Sequence, residues 1–432
     1  MNKIKYPTLD LFIYNLTEVS DKDAYEKYWF NLPSEVEQKR LSTVTVREPE
    51  YFEFGIATRK IDGSYSRTTV DDTSCLNYCC SFDEEVELSN LPSILTELKN
   101  LALLPKIDNL PAGHLSKAGY QGQTWMMSGS MVPDNSQITE IEAIQIYQSL
   151  IADGHQYLIK GEFLGATVYE MWRGKTQWEG IEKDSHVIIV FYPDEKTFVD
   201  VVSKNYYLHW LSLFYWRQKI IWAYQQGREL KAGLAKQIQS KKDITVVSND
   251  LSKKDLGGLK TELQQNGLNL SVYIQDINWL QIQQHTVQVN LGNYKLQCDK
   301  HFKTSVWLTE FSNIVENKYK VQLEKDYLSL NAGLALLENE TTTIRGMVEI
   351  QQAQRERNLN TIIAIVGVGL GTSQITSSAI IAQKTDPENI PFYQTKALWY
   401  SIGAGAVASF SLWITILILF RLKSMLQRRF RP

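Results

Sequence analysis

"LEKDYLSLNAGLALLENETTTIRGMV" (Leu323–Val348) decides how this chain is built. Leu323, Tyr327, Leu330, Leu334, Leu337, Thr341, Ile344 and Val348 step 4-3-4-3-4-3-4, a heptad seam held for more than three repeats. No proline occurs from His301 to Ile381. Gly333 and Gly346 each weaken a helix by about 1 kcal/mol without ending it. The pattern predicts a stalk helix from about His301 into the apolar stretch that follows, about 85 Å long at its 1.5 Å rise per residue. Two packings satisfy such a seam: a coiled coil between copies, or a helical bundle within one chain.

Downstream, residues 358–383 and 397–420 carry no charge, 26 and 24 residues respectively. Either is long enough for a hydrocarbon core of about 30 Å, which predicts two transmembrane helices. The second reads as ordinary lipid-facing helix, "LWITILILF", with Trp399, Tyr400 and Trp413 as interfacial anchors. Basic residues set the orientation. "RLKSMLQRRFRP" follows the second span with five Lys/Arg and no acid, and Arg345, Arg355 and Arg357 precede the first. The connecting "KTDPENIPFYQTK" is balanced, so both termini are expected in the cytoplasm of a cell (inner) membrane protein.

The first span is unusual for an anchor. Asn360, Ala364, Gly367, Gly371, Gln374 and Ser378 form one small or polar stripe, with Ile362, Ile363, Ile365, Val366 and Leu370 opposite. Small residues let helices approach closely, and Gln374 needs a neighbouring helix or water for its amide. The stripe therefore reads either as a helix–helix seam or as the lining of a pore ringed by several copies.

Upstream, the chain mixes strands and helices, predicting an α+β or α/β domain over residues 1–200. "LDLFIYNL" (Leu9–Leu16), "YFEFGIATRK" (Tyr51–Lys60), "CLNYCCSF" (Cys75–Phe82) and "SHVIIVFYP" (Ser185–Pro193) read as strands. "QYLIKGEFLGATVYEMWRG" (Gln156–Gly174) reads as a strand pair. "LPSILTELKNLALL" (Leu91–Leu104) and "ITEIEAIQIYQSLIADG" (Ile138–Gly154) read as helices, the second with Thr139 and Glu142 spaced as a capping box.

Residues 201–357 are helical by pattern. Asn205–Gln239 is aromatic around most of its circumference, but only 12 residues separate Lys204 from Arg217, so it reads as a buried or oligomer-facing helix. The polar stretch 241–257 reads as a break between helices. The order is thus a mixed domain (1–200), a helical region and stalk (201–357), a first span (358–383), a short loop (384–396), a second span (397–420) and a basic tail (421–432).

Composition narrows the function. The chain has 432 residues, 44% hydrophobic and 22% charged, with a net charge of −3 that gives no sign of nucleic-acid binding. "MNKIKYPTLDLFIYNL" reads as neither a signal nor a transit peptide. Three of the four cysteines lie in "CLNYCC", where alternation of Leu76, Tyr78, Cys80 and Phe82 suggests reduced strand thiols rather than half of a zinc site. Phosphate-loop, dinucleotide, zincin and nucleophile-elbow motifs do not occur, and the six histidines (114, 155, 186, 209, 285, 301) have no metal spacing. His209 and His285 read as ordinary helix residues, and no enzyme activity or cofactor is expected.

The layout resembles the CorA-type divalent cation transporters, most closely over "IRGMVEIQQAQRERNLNTIIAIVGVGLG", the loop "KTDPENIPFYQTK" and "RLKSMLQRRFRP". The resemblance implies a homo-oligomer, a pentamer, with a cytoplasmic domain gating a pore. The first span would line it through Asn360, Gly367, Gly371, Gln374 and Ser378. Asp386 and Glu388 would ring the outer mouth and concentrate cations. A divalent cation, Mg2+ or similar, is implied as the transported or regulatory ion, together with an unidentified cytoplasmic ligand or partner. The family's Gly-Met-Asn tripeptide is missing where the first span closes, at "IIAQKTDPEN", so magnesium selectivity does not carry over. The alternative is a membrane-anchored sensor or effector, in defence or stress response, that transports no metal ion selectively.

Overall fold

The computed structural model describes residues 2–17, 31–36, 38–41, 51–103, 119–151, 154, 157–173, 186–204, 206–239, 255–302 and 306–353. Two compact units divide them. One takes Met1–Arg228 with Gln283–Leu323; the other takes Glu229–Ile282 and the described residues from Glu324 onward.

The first unit has an α+β fold built on a ten-stranded mixed sheet among the described residues. Its strands are β1 (Lys3–Leu16), β2 (Gln38–Leu41), β3 (Tyr51–Ile56), β4 (Ile61–Val70), β5 (Thr73–Phe82), β6 (Glu85–Glu87), β7 (Tyr120–Val132), β8 (Tyr157–Phe163), β9 (Ala166–Trp172) and β10 (His186–Tyr192). They run in the order β2-β3-β4-β5-β1-β7-β10-β9-β8, with β6 also on β1. All neighbours are antiparallel except β7 and β10, which are parallel. The expected strands are present, although Tyr51–Lys60 leaves the sheet at Ile56 and finishes as a 3-10 turn, Ala57–Arg59. The expected pair is β8 and β9, joined through Leu164 (φ 50°) and Gly165 (φ 77°). Two successive left-handed residues make a tight hairpin turn whose twist suits the strands, and glycine is at ease in the second.

Central strand β7 had no clear sequence signal. Its "YQGQTWMMSGSMV" carries Gly122 at φ 147°, beside a register shift against β1. A Cβ there would lie 2.2 Å from Gln218 Oε1, so the backbone is kept bare to admit a helix.

Alternation gives the sheet two unlike faces. Leu9, Leu11 and Ile13 of β1, Leu76, Tyr78 and Cys80 of β5, Trp125 and Met127 of β7, Tyr169 and Met171 of β9, and Val187 and Ile189 of β10 pack into one apolar core. Helices α1 (Leu91–Ala102) and α2 (Glu140–Leu150) cover it with Leu95, Leu98, Ile146 and Leu150. The capping box of α2 is present, with Glu142 N–H donating to Thr139 Oγ1 at 3.3 Å and Thr139 N–H donating to Glu142 Oε2 at 2.6 Å.

After α3 (Glu195–Ser203) comes α4 (Tyr206–Gln239), whose first half covers the opposite face. Phe12 of β1 packs on Tyr207 and Phe214, and the Tyr14 hydroxyl donates to the Leu211 carbonyl at 3.0 Å. The aromatic helix is therefore buried on the sheet. For this reason the first unit extends past residue 200 to Arg228; it also includes 283–323.

Among the described residues, three further helices follow: α5 (Leu256–His301), α6 (Val306–Ile314) and α7 (Val321–Ala353), the last two joined by a π-helical turn, Val315–Lys320. In the second unit the heptad seam packs inside the chain. Leu330, Leu337, Thr341, Ile344 and Val348 are buried, while Tyr327 and Leu334 are only partly so. The Tyr273 hydroxyl of α5 donates to the Leu330 carbonyl at 2.8 Å, and the Asn266 amide to Glu340 at 3.3 Å. Leu259 and Leu263 share a core cluster with Ile344 and Val348, so α5 and α7 run antiparallel. The helix expected from about His301 is described from Val306 to Ala353, and its continuation lies outside the described residues. Among the described residues no helix is long and apolar enough to cross a membrane; 358–383 and 397–420 lie outside them.

Candidate functional site

Beneath α4 the sheet sets buried polar groups among apolar ones such as Phe12, Val168 and Ile188. Asp10, Asn77, Thr124, Glu170 and His186 lie on that face of β1, β5, β7, β9 and β10, and each is at least nine-tenths buried. Register brings three of them together. Thr124 and His186 are paired residues of the parallel strands, and Glu170 lies diagonally from His186 across the β9–β10 pair.

A directed relay results. The Gln218 amide of α4 donates to Thr124 Oγ1 at 3.0 Å and to the Gln123 carbonyl at 2.8 Å. The Thr124 hydroxyl then donates to His186 Nδ1 at 2.9 Å, and His186 Nε2–H donates to Glu170 Oε1 at 3.1 Å. These directions follow from a neutral ring and from a carboxylate that can only accept, which together place the ring proton on Nε2. Burial first, and the charge of Arg217 second, hold the His186 pKa well below its ordinary value.

Arg217 of α4 completes the cluster. Its Nε lies 3.9 Å from Glu170 Oε1, and its guanidinium carbon lies 5.5 Å from the centre of the Trp172 ring and 4.9 Å from that of Phe311 on α6. The planar, weakly hydrated guanidinium suits such an aromatic slot. From α5, Tyr294 and Cys298 stand near the Glu170 charge. Burial, then that carboxylate, push the Cys298 thiol up to about 12. One buried cluster thus joins β7, β9 and β10 to α4, α5 and α6.

Its hydroxyl–imidazole–carboxylate order matches the relay that activates nucleophiles in acyl transfer. Thr124, His186 and Glu170 are 0%, 1% and 1% exposed, however, so a substrate would reach Thr124 only if α4 left the sheet. The arrangement suits a coupling element. Displacing α4 takes Arg217 from a buried carboxylate, and displacing α6 takes Phe311 from the guanidinium, which makes intermediate positions costly.

Asp10 adds a titratable group on the same face. Burial pushes its carboxyl up to about 6, against the lowering effect of hydrogen bonds from Asn77, at 3.2 Å, and Cys79. Between pH 3.8 and 6 the folded chain holds a proton that the unfolded chain releases, so stability falls as pH rises through that window and the loss is complete above it. Asp10→Asn is expected to stabilise the first unit above pH 6, by no more than about 3 kcal/mol, and to flatten this decline. Denaturant unfolding at several pH values checks it; an unchanged slope would contradict it.

None of these residues was singled out from the sequence as a site. The available signal was a charge inside otherwise apolar elements, Glu170 in "ATVYEMW" and Arg217 in "LFYWRQKIIW". Cys75 and Cys80 are buried in the sheet, and Cys298 lies in α5 beside Tyr294. His209, read as an ordinary helix residue, stacks on His301. The expected pore or seam residues Asn360, Ala364, Gly367, Gly371, Gln374 and Ser378, and the outer-mouth pair Asp386 and Glu388, lie outside the described residues. Comparison with known protein families, curated proteins and solved structures finds no match to this chain.

Proposed function

We propose that the chain is an oligomeric, CorA-like membrane ion channel or transporter. In this reading its first apolar segment lines the pathway and its α+β domain, on the cytoplasmic side of the inner membrane, controls opening. The observation that carries this reading is α7. It runs as helix to Ala353, immediately ahead of the uncharged stretch that begins at Asn358, and α6 joins it to the buried cluster through Phe311. A signal at the sheet would shift Arg217 and Phe311 and so bias α6, the π turn and α7. A cytoplasmic ligand or partner would open the pathway only by binding the open and closed states differently. No catalysis is assigned to the chain, and Gln374 is the residue proposed to set the bore. Because the heptad seam is occupied by the chain's own α5, copies would associate through another surface.

That same occupied seam favours a second reading, a membrane-anchored sensor or effector, in which the helices act within one subunit. Cation flux into liposomes holding the purified protein separates the two, with divalent and monovalent ions and wild type beside Gln374→Leu. Flux that changes several-fold in the variant is expected. Folded protein that passes no ion under any gradient would overturn the channel in favour of the anchor.

A further inference from the structure

His209 lies in the first turn of α4, and His301 is the last residue of α5. Their rings stack with centroids 3.6 Å apart and planes 21° from parallel. The Gln297 amide, one turn before His301, donates to the His209 carbonyl at 3.1 Å, and the Tyr206 ring meets His209 edge-on at 5.6 Å. Behind the pair stands an aromatic box. Trp210 meets Phe302 at 4.6 Å and Phe163 at 5.2 Å, and lies 6.2 Å from Trp307 at the start of α6. The stack thus closes a joint where α4, α5 and α6 meet the β8–β9 hairpin.

We propose that the His209–His301 stack is an acid-released clasp, which holds the first turn of α4 to the last turn of α5 when both rings are neutral and parts when both are protonated. One imidazolium facing a neutral ring is tolerable, but two cations in face-to-face contact are not. No carboxylate among the described residues offsets that repulsion. Among the described residues, the charged group that shifts both rings is Lys300, which lowers them, and no carboxylate acts on either. Tyr206, Gln297, Phe163, Phe302 and Trp307, from the elements packed around the joint, carry no charge at neutral pH. The positive end of α4 further disfavours a proton on His209, whereas the negative end of α5 favours one on His301, so the first proton goes to His301 and the second, on His209, parts the pair.

Burial is the first cause holding both rings below their ordinary value of 6.5; for His209 the charge of His301 follows, and Lys300 acts on both. The folded chain therefore binds fewer protons here than the unfolded chain. The clasp's stability is full above pH 6.5 and is lost as pH falls from there through the folded values. This sign is opposite to that of Asp10. The proposal stands apart from ion conduction, since its readout is structural.

Amide hydrogen exchange of the full-length protein in detergent, at about pH 7.5 and about pH 5.5 and corrected for intrinsic rates, tests it. Acid should cost the wild-type segments 206–212 and 296–302 about tenfold in protection, while 186–192 of β10 keeps its own. The double variant His209→Phe/His301→Phe retains two stacking rings without protons to gain, and should lose none. Unchanged wild-type protection, equal loss in the double variant, or loss that extends to β10 beside His186 would each overturn the clasp. Should the variant not fold, exchange of the imidazole C2 protons in the wild type decides. Two separated titrations below 6.5 are expected for His209 and His301, and either one at or above 6.5 refutes the proposal.

Discussion

Arg217→Ala is expected to cost the first unit about 3–5 kcal/mol of stability, because it removes one partner of a buried charged cluster and leaves the other. Glu170 is 1% exposed and its carboxylate has the guanidinium 3.9 Å away. Without it the site must either protonate the carboxyl or admit water between α4 and the sheet, and either outcome weakens the seating of α4. The companion double variant Arg217→Met/Glu170→Gln should recover most of the loss. Methionine keeps the apolar contact with Trp172 and Phe311, and a glutamine carbonyl still accepts from His186 Nε2. Denaturant unfolding followed by exchange in β9 and β10 measures both. An Arg217→Ala protein within about 1 kcal/mol of wild type would mean that the cluster contributes no coupling between helices and sheet.

Ile344→Asp should undo the second unit while sparing the first. Ile344 is fully buried and shares its cluster with Leu259, Leu263 and Val348, so a carboxylate there has neither water nor a partner. The cost is at least about 3 kcal/mol, at the end of the α5–α7 hairpin where few other apolar groups compensate. Exchange protection is expected to fall over 256–282 and 324–353 and to persist in β1, β7 and β10, whose apolar core is separate. If protection persisted along α7, or if the sheet lost it too, the division into two units would have no energetic meaning.

Much of the fold is legible without coordinates. The β-branched and aromatic content of Leu9–Leu16 and "HVIIVFY", the alternation in Cys75–Phe82 and the capping box at Thr139 are local signals, and each of these elements is present. β7 is the instructive failure. Gly122 and Gly129 weaken its propensity because Gln218 of α4 and Ile4 and Lys5 of β1 come close to them, and that need exists only in the folded chain. The candidate site escaped for a related reason. Thr124, Glu170, His186 and Arg217 are separated by up to 93 positions, and no spacing rule links residues that only strand register and a covering helix bring within hydrogen-bond reach.

The heptad seam shows where the division falls. Period alone determined that Leu323–Val348 is helical and which stripe of it is apolar, because both follow from the 3.6-residue turn and the helix's own hydrogen bonds. It could not say what covers that stripe. A buried seam gains the same burial energy from a second copy as from another helix of the same chain. Only the tertiary structure decided between them, by returning α5 antiparallel along α7 so that Tyr273 and Asn266 reach Leu330 and Glu340.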